Sequence, residues 1–180
     1  MRKAFYIMGE LTDADLDWLI QNGEQRKIGR NIPLIRQGEH PPFVYIILRG
    51  LFVVRDEKLG GLELARLASG EIVGEMSFIQ AQPPSATVTA LEDGLVLTLQ
   101  RTALEQKLQT DSDFAARFYR ALAVFLSDRM RATVRTLGYG STAAAAEADA
   151  AHDDEQEPEM LARASAASQR FEAVLKRLGA

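Results

Sequence analysis

The sequence of 180 residues contains no cysteine and only two histidines, His40 and His152. Without cysteine there can be no disulfide, no thiolate metal site and no thiol nucleophile. The two histidines lie far apart, and His152 stands in an acidic, alanine-rich stretch, so neither a metal centre nor a histidine-based catalytic centre has support. We therefore assign no catalytic residue and no metal ligand, and we predict that the protein is not an enzyme.

Long apolar runs and excess positive charge are also missing. Arg2 and Lys3 precede an apolar stretch that Glu10 interrupts, which is too short for the core of a signal peptide. No later run approaches the roughly 20 apolar residues of a membrane-spanning helix. The net charge of −4 argues against a broad surface that neutralises nucleic-acid phosphates. We predict a cytoplasmic protein with no membrane span and no DNA partner.

Short apolar and β-branched runs, separated by glycines, fill the chain up to about residue 110. A helix capped by Thr12 comes first. Eight strand-like segments follow, at 27–28, 33–36, 43–48, 51–55, 62–67, 71–73, 86–90 and 94–99. Many short strands with regular turn signals predict a barrel or a sandwich.

Amphipathic helices dominate the rest of the sequence. A short helix fits residues 102–108, and a longer one begins near Asp111 or Ser112. The longer helix repeats large apolar residues at spacings of three and four: Phe114, Phe118, Leu122, Phe125, Leu126, Met130, Val134 and Leu137. We divide the chain into a β-barrel at 1–110, a long helix at 111–138, an acidic, alanine-rich and flexible linker at 139–158, and a terminal amphipathic helix at 159–180.

The most specific motif is Gly74-Glu75-Met76-Ser77-Phe78-Ile79, followed by Pro83-Pro84-Ser85-Ala86-Thr87-Val88. A glycine, a carboxylate and a short helical turn lead into a proline-bounded loop and then a β-branched strand. This order resembles the phosphate-binding cassette of cyclic-nucleotide-binding domains, and we call residues 74–87 the cassette. Residues 35–39, 44–50 and 67–75 are similar to further pieces of the same family, in the same order.

The resemblance covers roughly residues 10–137 and extends to bacterial catabolite-activator-like regulators and kinase regulatory subunits. It implies a mainly β fold with flanking helices, namely a double-stranded β-helix (jelly-roll) barrel followed by a long C-terminal helix. By the family pattern, the cassette positions are Gly74, Glu75, Met76, Ser77, Ser85, Ala86 and Thr87. Glu75 would accept the ribose 2′-hydroxyl, and backbone amides after Met76 and around Ser85 and Ala86 would face the phosphate.

Pro84 occupies the position of the family's phosphate-binding arginine. Proline supplies neither a charge nor a backbone N–H. Losing a buried, charge-assisted bond costs a few kcal/mol, or about two decades of affinity. We therefore expect no tight binding of cyclic AMP or cyclic GMP in the usual geometry, and we assign no cofactor.

Other residues offer alternatives at the cassette. Four arginines, Arg36, Arg49, Arg66 and Arg101, could in principle replace the missing cation. Ser127 and Arg129, on the long helix, could contact a ligand, although we expect both to be exposed to solvent. Glu75 could equally well cap the short helical turn, whose amides attract a carboxylate.

Two functions are consistent with this reading. The first is a bacterial homodimeric regulatory or adaptor protein with a degenerate pocket. Its dimer would form through the long helix, because Phe114, Phe118 and Phe125 exceed what one face of a small barrel needs, and its terminal helix would dock on the dimer or on an unidentified partner protein. The second is a true sensor of a cyclic nucleotide or another phosphorylated metabolite. Direct DNA binding is not expected, because the residues after Gly140 offer no second helix, wing or basic recognition face.

Overall fold

The computed structural model describes residues 6–136 and 158–180. Its helices are α1 (Tyr6–Glu10), α2 (Asp13–Asn22), α3 (Glu75–Gln80), α4 (Arg101–Thr110), α5 (Ser112–Thr136) and α6 (Pro158–Leu178). Its strands are β1 (Gly23–Ile28), β2 (Pro33–Ile35), β3 (Phe43–Arg49), β4 (Phe52–Asp56), β5 (Leu62–Leu67), β6 (Ile72–Val73), β7 (Thr87–Ala90) and β8 (Gly94–Gln100). The predicted linker, up to residue 157, lies outside the described residues.

The strands form two antiparallel sheets of four strands each. One sheet has the order β1-β8-β3-β6, and the other has the order β2-β7-β4-β5. The mainly β class with flanking helices is confirmed, although the two sheets do not close into a hydrogen-bonded barrel. One cluster of buried side chains joins the sheets, with Tyr45 and Val96 from the first and Phe52, Leu67 and Val88 from the second.

Strand β3 lies at the centre of the molecule because both of its faces are apolar. Val44, Ile46 and Leu48 belong to the cluster that also contains the helices, whereas Tyr45 and Ile47 belong to the cluster between the sheets. Successive side chains of a strand point to opposite faces, so an uninterrupted apolar run is what a strand covered on both sides requires.

Helices α1 and α2 connect the N-terminus to α5. Thr12 and Asp15 form a capping box at the start of α2. The buried Asp15 carboxylate also accepts two bonds from Arg117 of α5, at 2.7 and 2.9 Å. Helix α1 was not predicted, and it packs against both α5 and α6.

The aromatic side chains of α5 correct one expectation. Phe114, Phe118 and Phe125 are all buried in the chain's own core, together with residues of α1, α2 and the first sheet. The rings are therefore buried without a second chain, because the N-terminal helices and α6 enlarge the core beyond one face of the β-sheets. Among the described side chains of α5, the large apolar ones that are exposed are Tyr119, Met130 and Val134.

Helix α6 is described from Pro158 onward, and it packs on its own chain. Ala167, Phe171 and Val174 are buried in the same cluster as Met8 and Leu11. The described contacts thus place the terminal helix on the N-terminal helices of the same molecule.

The pair between Asp15 and Arg117 predicts a specific pH dependence. Burial opposes ionisation, but the bonds from Arg117 and Thr12 outweigh it and lower the pKa of Asp15 from 3.8 to about 2. A carboxyl with a lowered folded-state pKa stabilises the fold above its unfolded pKa, and the contribution is lost as the pH falls towards the folded pKa. We expect Asp15→Asn to cost about 2 kcal/mol of unfolding free energy near neutral pH and about half of that near pH 3.

Urea denaturation of both proteins at several pH values measures this difference. Asp17→Asn is a matched control, because Asp17 is half-exposed and pairs with Arg177 at the surface, where the loss should stay below about 1 kcal/mol. A cost for Asp15→Asn that does not change with pH would contradict the assignment.

Candidate functional site

The cassette begins at Gly74, which is the N-cap of α3. Its φ of +89° lies in the left-handed region, and a Cβ at this position would come within 3.3 Å of both Ile35 Cδ1 and the carbonyl oxygen of Phe43. Glycine is required here for conformation and for space. The turn directs the next side chain, Glu75, inward, where it is only 2% exposed.

Glu75 forms an ion pair with Arg129, which reaches the cassette from α5. Arg129 Nη1 donates to Glu75 Oε1 at 3.0 Å, and Arg129 Nη2 donates to Glu71 Oε2 at 3.3 Å. The guanidinium also lies over the ring of Phe125, with Cζ 4.5 Å from the ring centroid. One cation therefore joins the cassette, the segment before β6 and the inner face of α5.

Burial dominates the electrostatics of Glu75. Desolvation raises the pKa of its carboxyl above the ordinary value, although Arg129 and the backbone N–H groups of Glu75 and Met76 act in the opposite direction. The charge of Glu71 nearby raises the pKa further. The ionised form of Glu75 thus depends on Arg129 and on the backbone N–H groups at the start of α3.

The other cassette residues fall into two groups. In α3, Met76 is exposed, while the buried Ser77 hydroxyl donates to the Gly74 carbonyl at 3.0 Å. In the loop before β7, Ser85 is exposed and Ala86 is half-buried. Thr87 begins β7, and its hydroxyl accepts the backbone N–H of Gln37.

Gln37 fixes the second half of the cassette. Its side-chain amide donates to the Ser85 carbonyl at 2.7 Å and to the Asp56 carboxylate at 2.9 Å, and its side-chain oxygen accepts the backbone N–H of Glu57. The next residue, Gly38, donates its N–H to the carbonyl of Pro84 at 2.9 Å. Pro84 therefore contributes an acceptor to the neighbouring turn, where the family pattern would have a cation.

A surface pocket of about 490 Å³ lies beside this loop. Its lining residues are Gln37, Gly38, Asp56, Lys58, Pro83, Pro84 and Ser85. The lining contains one acid and one base and does not include Glu75. The pocket is thus formed by the cassette loop, and the buried Glu75 carboxylate lies outside it.

None of the four arginines proposed as substitutes pairs with Glu75. Arg36 and Arg49 are exposed, and Arg66 pairs with Glu63 on the surface. Arg101 donates to the carbonyls of Ser77 and Phe78 at the end of α3, at 3.1 and 3.2 Å. Arg101 thus connects α3 to the start of α4, whereas Arg129 contacts Glu75 at the N-terminal end of α3.

The expectation that Arg129 is exposed to solvent is wrong, since its side chain is 25% exposed and paired with two acids. The helical spacing already contained the signal. Phe114, Phe118 and Phe125 mark the inner face of α5, and Arg129 follows Phe125 by four residues on that same face. A cation on the buried face of a helix requires a carboxylate opposite it. In the cassette the buried carboxylate is that of Glu75, which makes it the partner of Arg129.

Sequence comparison relates the β-rich part of the chain to known proteins. The family described as "Cyclic nucleotide-binding domain" matches residues 25–111. An uncharacterized NTE family protein of Mycobacterium tuberculosis is 28% identical over 151 residues, which cover 80% of this chain and 26% of that protein. The cAMP-activated global transcriptional regulator CRP of Escherichia coli O157:H7 is 27% identical over 130 residues, which cover 71% of this chain and 60% of that protein. The chain thus spans about a quarter of the one relative and 60% of the other.

Solved structures share the fold of this chain. A cyclic nucleotide-binding domain from Methylobacillus flagellatus superposes with a TM-score of 0.66 at 23% identity, covering 74% of this chain and 80% of that one. The catabolite activator protein of Thermus thermophilus superposes with a TM-score of 0.60 at 24% identity, covering 97% of this chain and 86% of that one. At these identities the likeness concerns the fold.

Two searches of the described residues concern other kinds of site. Within residues 6–136 and 158–180, no helix is both long and apolar enough to cross a membrane. The same part of the chain contains no group of three or more His, Cys, Asp or Glu residues arranged to hold a metal ion.

The ion pair predicts unequal effects of removing its two partners. Arg129→Met leaves a buried carboxylate without its cation, so we expect a loss of about 3 kcal/mol in the free energy of unfolding. Glu75→Gln/Arg129→Met removes both charges and should recover most of that loss. Denaturant unfolding of the single and double variants gives the coupling energy.

Arg131→Met is the matched control, because Arg131 is an exposed arginine of the same helix. Its replacement should change the free energy of unfolding by less than about 0.5 kcal/mol. Equal losses for Arg129→Met and Arg131→Met would show that the pair does not form.

Proposed function

We propose that this chain, whose residues 25–111 match the cyclic nucleotide-binding domain family, is a regulatory module of this class that works without a nucleotide and acts through protein contacts. The observation that carries the proposal is the bond between the buried Glu75 carboxylate and Arg129 of α5. In the family pattern this carboxylate would accept a ribose hydroxyl. Here it is already bonded to a cation of the protein itself.

Two properties of the cassette support ligand independence. At Pro84 the loop lacks both the charge and the N–H that would hold a phosphate, and its carbonyl is used by Gly38. A ribose hydroxyl would have to displace Arg129 from Glu75, and the carboxylate would then exchange an ion pair for a single bond from an uncharged donor. Both ends of the usual nucleotide contact are thus disfavoured.

The pair between Glu75 and Arg129 also fixes the position of α5, the helix through which the module would contact other proteins. Arg129 holds the C-terminal half of α5 against the cassette, while Arg117 and Arg120 bond the N-terminal half to Asp15 and Glu10. An α5 fixed in this way presents a constant outer face. In this proposal the module keeps a regulatory role, and the ion pairs of the protein itself determine the position of α5 that a ligand would otherwise determine.

Calorimetric titration with cyclic AMP, cyclic GMP and cyclic dinucleotides tests the proposal. We expect no binding heat at micromolar concentrations with the full-length protein. A matched variant, Pro84→Arg, restores the family's arginine and should gain affinity for a cyclic mononucleotide if the fold provides the rest of the site. Micromolar binding by the natural protein that weakens in Glu75→Ala would refute ligand independence.

The second candidate function is a sensor of a phosphorylated ligand, which the position of Arg129 favours. The guanidinium lies 3.0 Å from the Glu75 carboxylate, so the cassette does have a cation beside it, contributed by α5. A phosphorylated ligand that attracted Arg129 away from Glu75 and Glu71 would change the attachment of α5. In that case Gly74, Glu75, Met76, Ser77, Ser85, Ala86 and Thr87 would line the ligand.

The outer face of α5 supports a homodimer. Tyr119, Ala123, Met130 and Val134 are exposed and recur at spacings of four and seven, which places them along one side of the helix, away from the buried rings. Met130 is 64% exposed, an unusual position for a large apolar side chain. A stripe of this kind suits a two-fold contact between two copies of the helix.

Met130→Glu/Val134→Glu tests this contact by placing like charges on the stripe. We expect the natural protein to sediment as a dimer and the variant as a monomer of about 20 kDa, with unchanged circular dichroism. Arg131→Glu introduces the same side chain one position away and should leave the dimer intact. A natural protein that is monomeric at high micromolar concentration would rule out the dimer.

A further inference from the structure

Helix α6 occupies a groove that α1, α2 and the start of β1 form together. Ala167, Phe171 and Val174 are buried along one side of the helix, in the cluster that contains Met8 and Leu11. The approach to α1 is close, since a Cβ on Gly9 would lie 3.4 Å from the Cβ of Ala167. The apolar floor of the groove is therefore covered by three side chains at spacings of four and three.

Polar contacts at the rim fix the direction of α6 in the groove. Arg170 Nη1 donates to the Leu11 carbonyl at 2.8 Å and to the Met8 carbonyl at 3.4 Å, and Arg170 Nε lies 3.3 Å from the Asp13 carboxylate. Arg177, two turns later, pairs with Asp17. At the end of the helix, the Leu178 carbonyl accepts the side-chain amide of Gln25.

The groove recognises a simple pattern. Its acids and the Met8 and Leu11 carbonyls match two arginines seven residues apart, and its floor matches apolar residues along the same side of the helix. Both carboxylates are accessible to solvent, because Asp13 is mostly exposed and Asp17 is half-exposed. Such rim pairs are weak and sensitive to salt. The recognition features lie in residues 8–25 and do not depend on the covalent connection to α6.

Helix α6 lies over the groove and is joined covalently to α5, so it acts as a tethered ligand of the groove. Twenty-one residues separate Thr136 from Pro158, and a chain of that length can span roughly 70 Å when extended. Tethering raises the effective concentration of α6 at the groove without adding a contact. A free helix of the same chemistry can then enter only when α6 is weakened or outcompeted.

We propose that α6 is an intramolecular cover over a helix-binding groove, and that a partner protein displaces it with an amphipathic helix that carries two arginines seven residues apart. The inference rests on the proposed role of the chain as a module that acts through protein contacts, and it locates one such contact. The groove is linked to α5 through Glu10 with Arg120 and Asp15 with Arg117. Replacement of α6 by another helix therefore acts on the element that Arg129 attaches to the cassette.

A labelled synthetic peptide of residues 158–180 serves as the partner helix in the test. Its binding to full-length protein is followed by fluorescence anisotropy. We expect full-length Phe171→Ala, whose own cover is weakened, to bind the peptide at least about ten-fold more tightly than the natural protein, a difference that the loss of one buried aromatic contact readily supplies. Equal affinities for the two proteins would overturn the proposal.

Two matched variants show whether binding follows the groove chemistry. A peptide with Arg170→Glu and Arg177→Glu should bind at least about ten-fold more weakly, and Asp17→Lys in the Phe171→Ala protein should weaken the natural peptide. Equal binding of both peptides would indicate unspecific apolar contact and overturn the proposal. If Phe171→Ala fails to fold, Arg177→Glu replaces it, since that change affects an exposed ion pair.

Hydrogen exchange of the full-length protein supplies a second measurement. A detachable cover predicts that amides of residues 165–178 exchange faster than those of β3 and β8. Exchange at the same rate would make α6 an integral part of the core and overturn the proposal. Protection of α6 that rises with protein concentration would identify a second copy as the occupant, and would also overturn it. No nucleotide is present, so failure here leaves the ligand independence of the cassette to its own titration.

Discussion

The guanidinium of Arg129, held between Glu75 and Glu71, connects the two halves of the molecule. On one side are the two sheets and the cassette, and on the other are the helices that bury Phe114, Phe118 and Phe125. Two carboxylates share this one cation, and one of them is almost completely buried. Taking one partner away leaves a buried charge uncompensated, which is far more costly than never having had the pair. The position of α5 on the cassette is therefore tied to the charge of Arg129.

The same helix is bonded at its other end to the N-terminus. Arg117 and Arg120 pair with Asp15 and Glu10, and those residues belong to the helices that carry α6. Helix α5 thus lies between the cassette and the helices that carry α6. In the role proposed above, an alteration in either region would act on this same helix. The exposed stripe with Met130 is the face that would carry the result to a second chain.

The fold could be predicted because its determinants are local. The apolar run of 43–48, the capping box at Thr12 and the glycine turns each act over a few residues, and the cassette motif shows the order in which they belong. Strand β1 starts four residues earlier than expected because Gly23-Glu24-Gln25-Arg26 is polar, and only pairing with β8 makes it a strand. The site could not be predicted in the same way. The bond between Arg129 and Glu75 joins residues 54 positions apart, and only the packing of α5 brings them together. For helix α6, the amphipathic pattern predicts a buried face, but the surface that covers this face cannot be read from the pattern.

The guanidinium group of Arg129 offers the most direct test of the central claim. Nitrogen-15 NMR of the nucleotide-free protein can observe its side-chain N–H groups, with the exposed Arg131 as an internal reference. The ion pair predicts separate, slowly exchanging Nη resonances for Arg129 that do not shift when cyclic AMP or cyclic GMP is added. Resonances of Arg129 that average as freely as those of Arg131, or that sharpen only on addition of a nucleotide, would contradict an α5 held to the cassette by the protein itself.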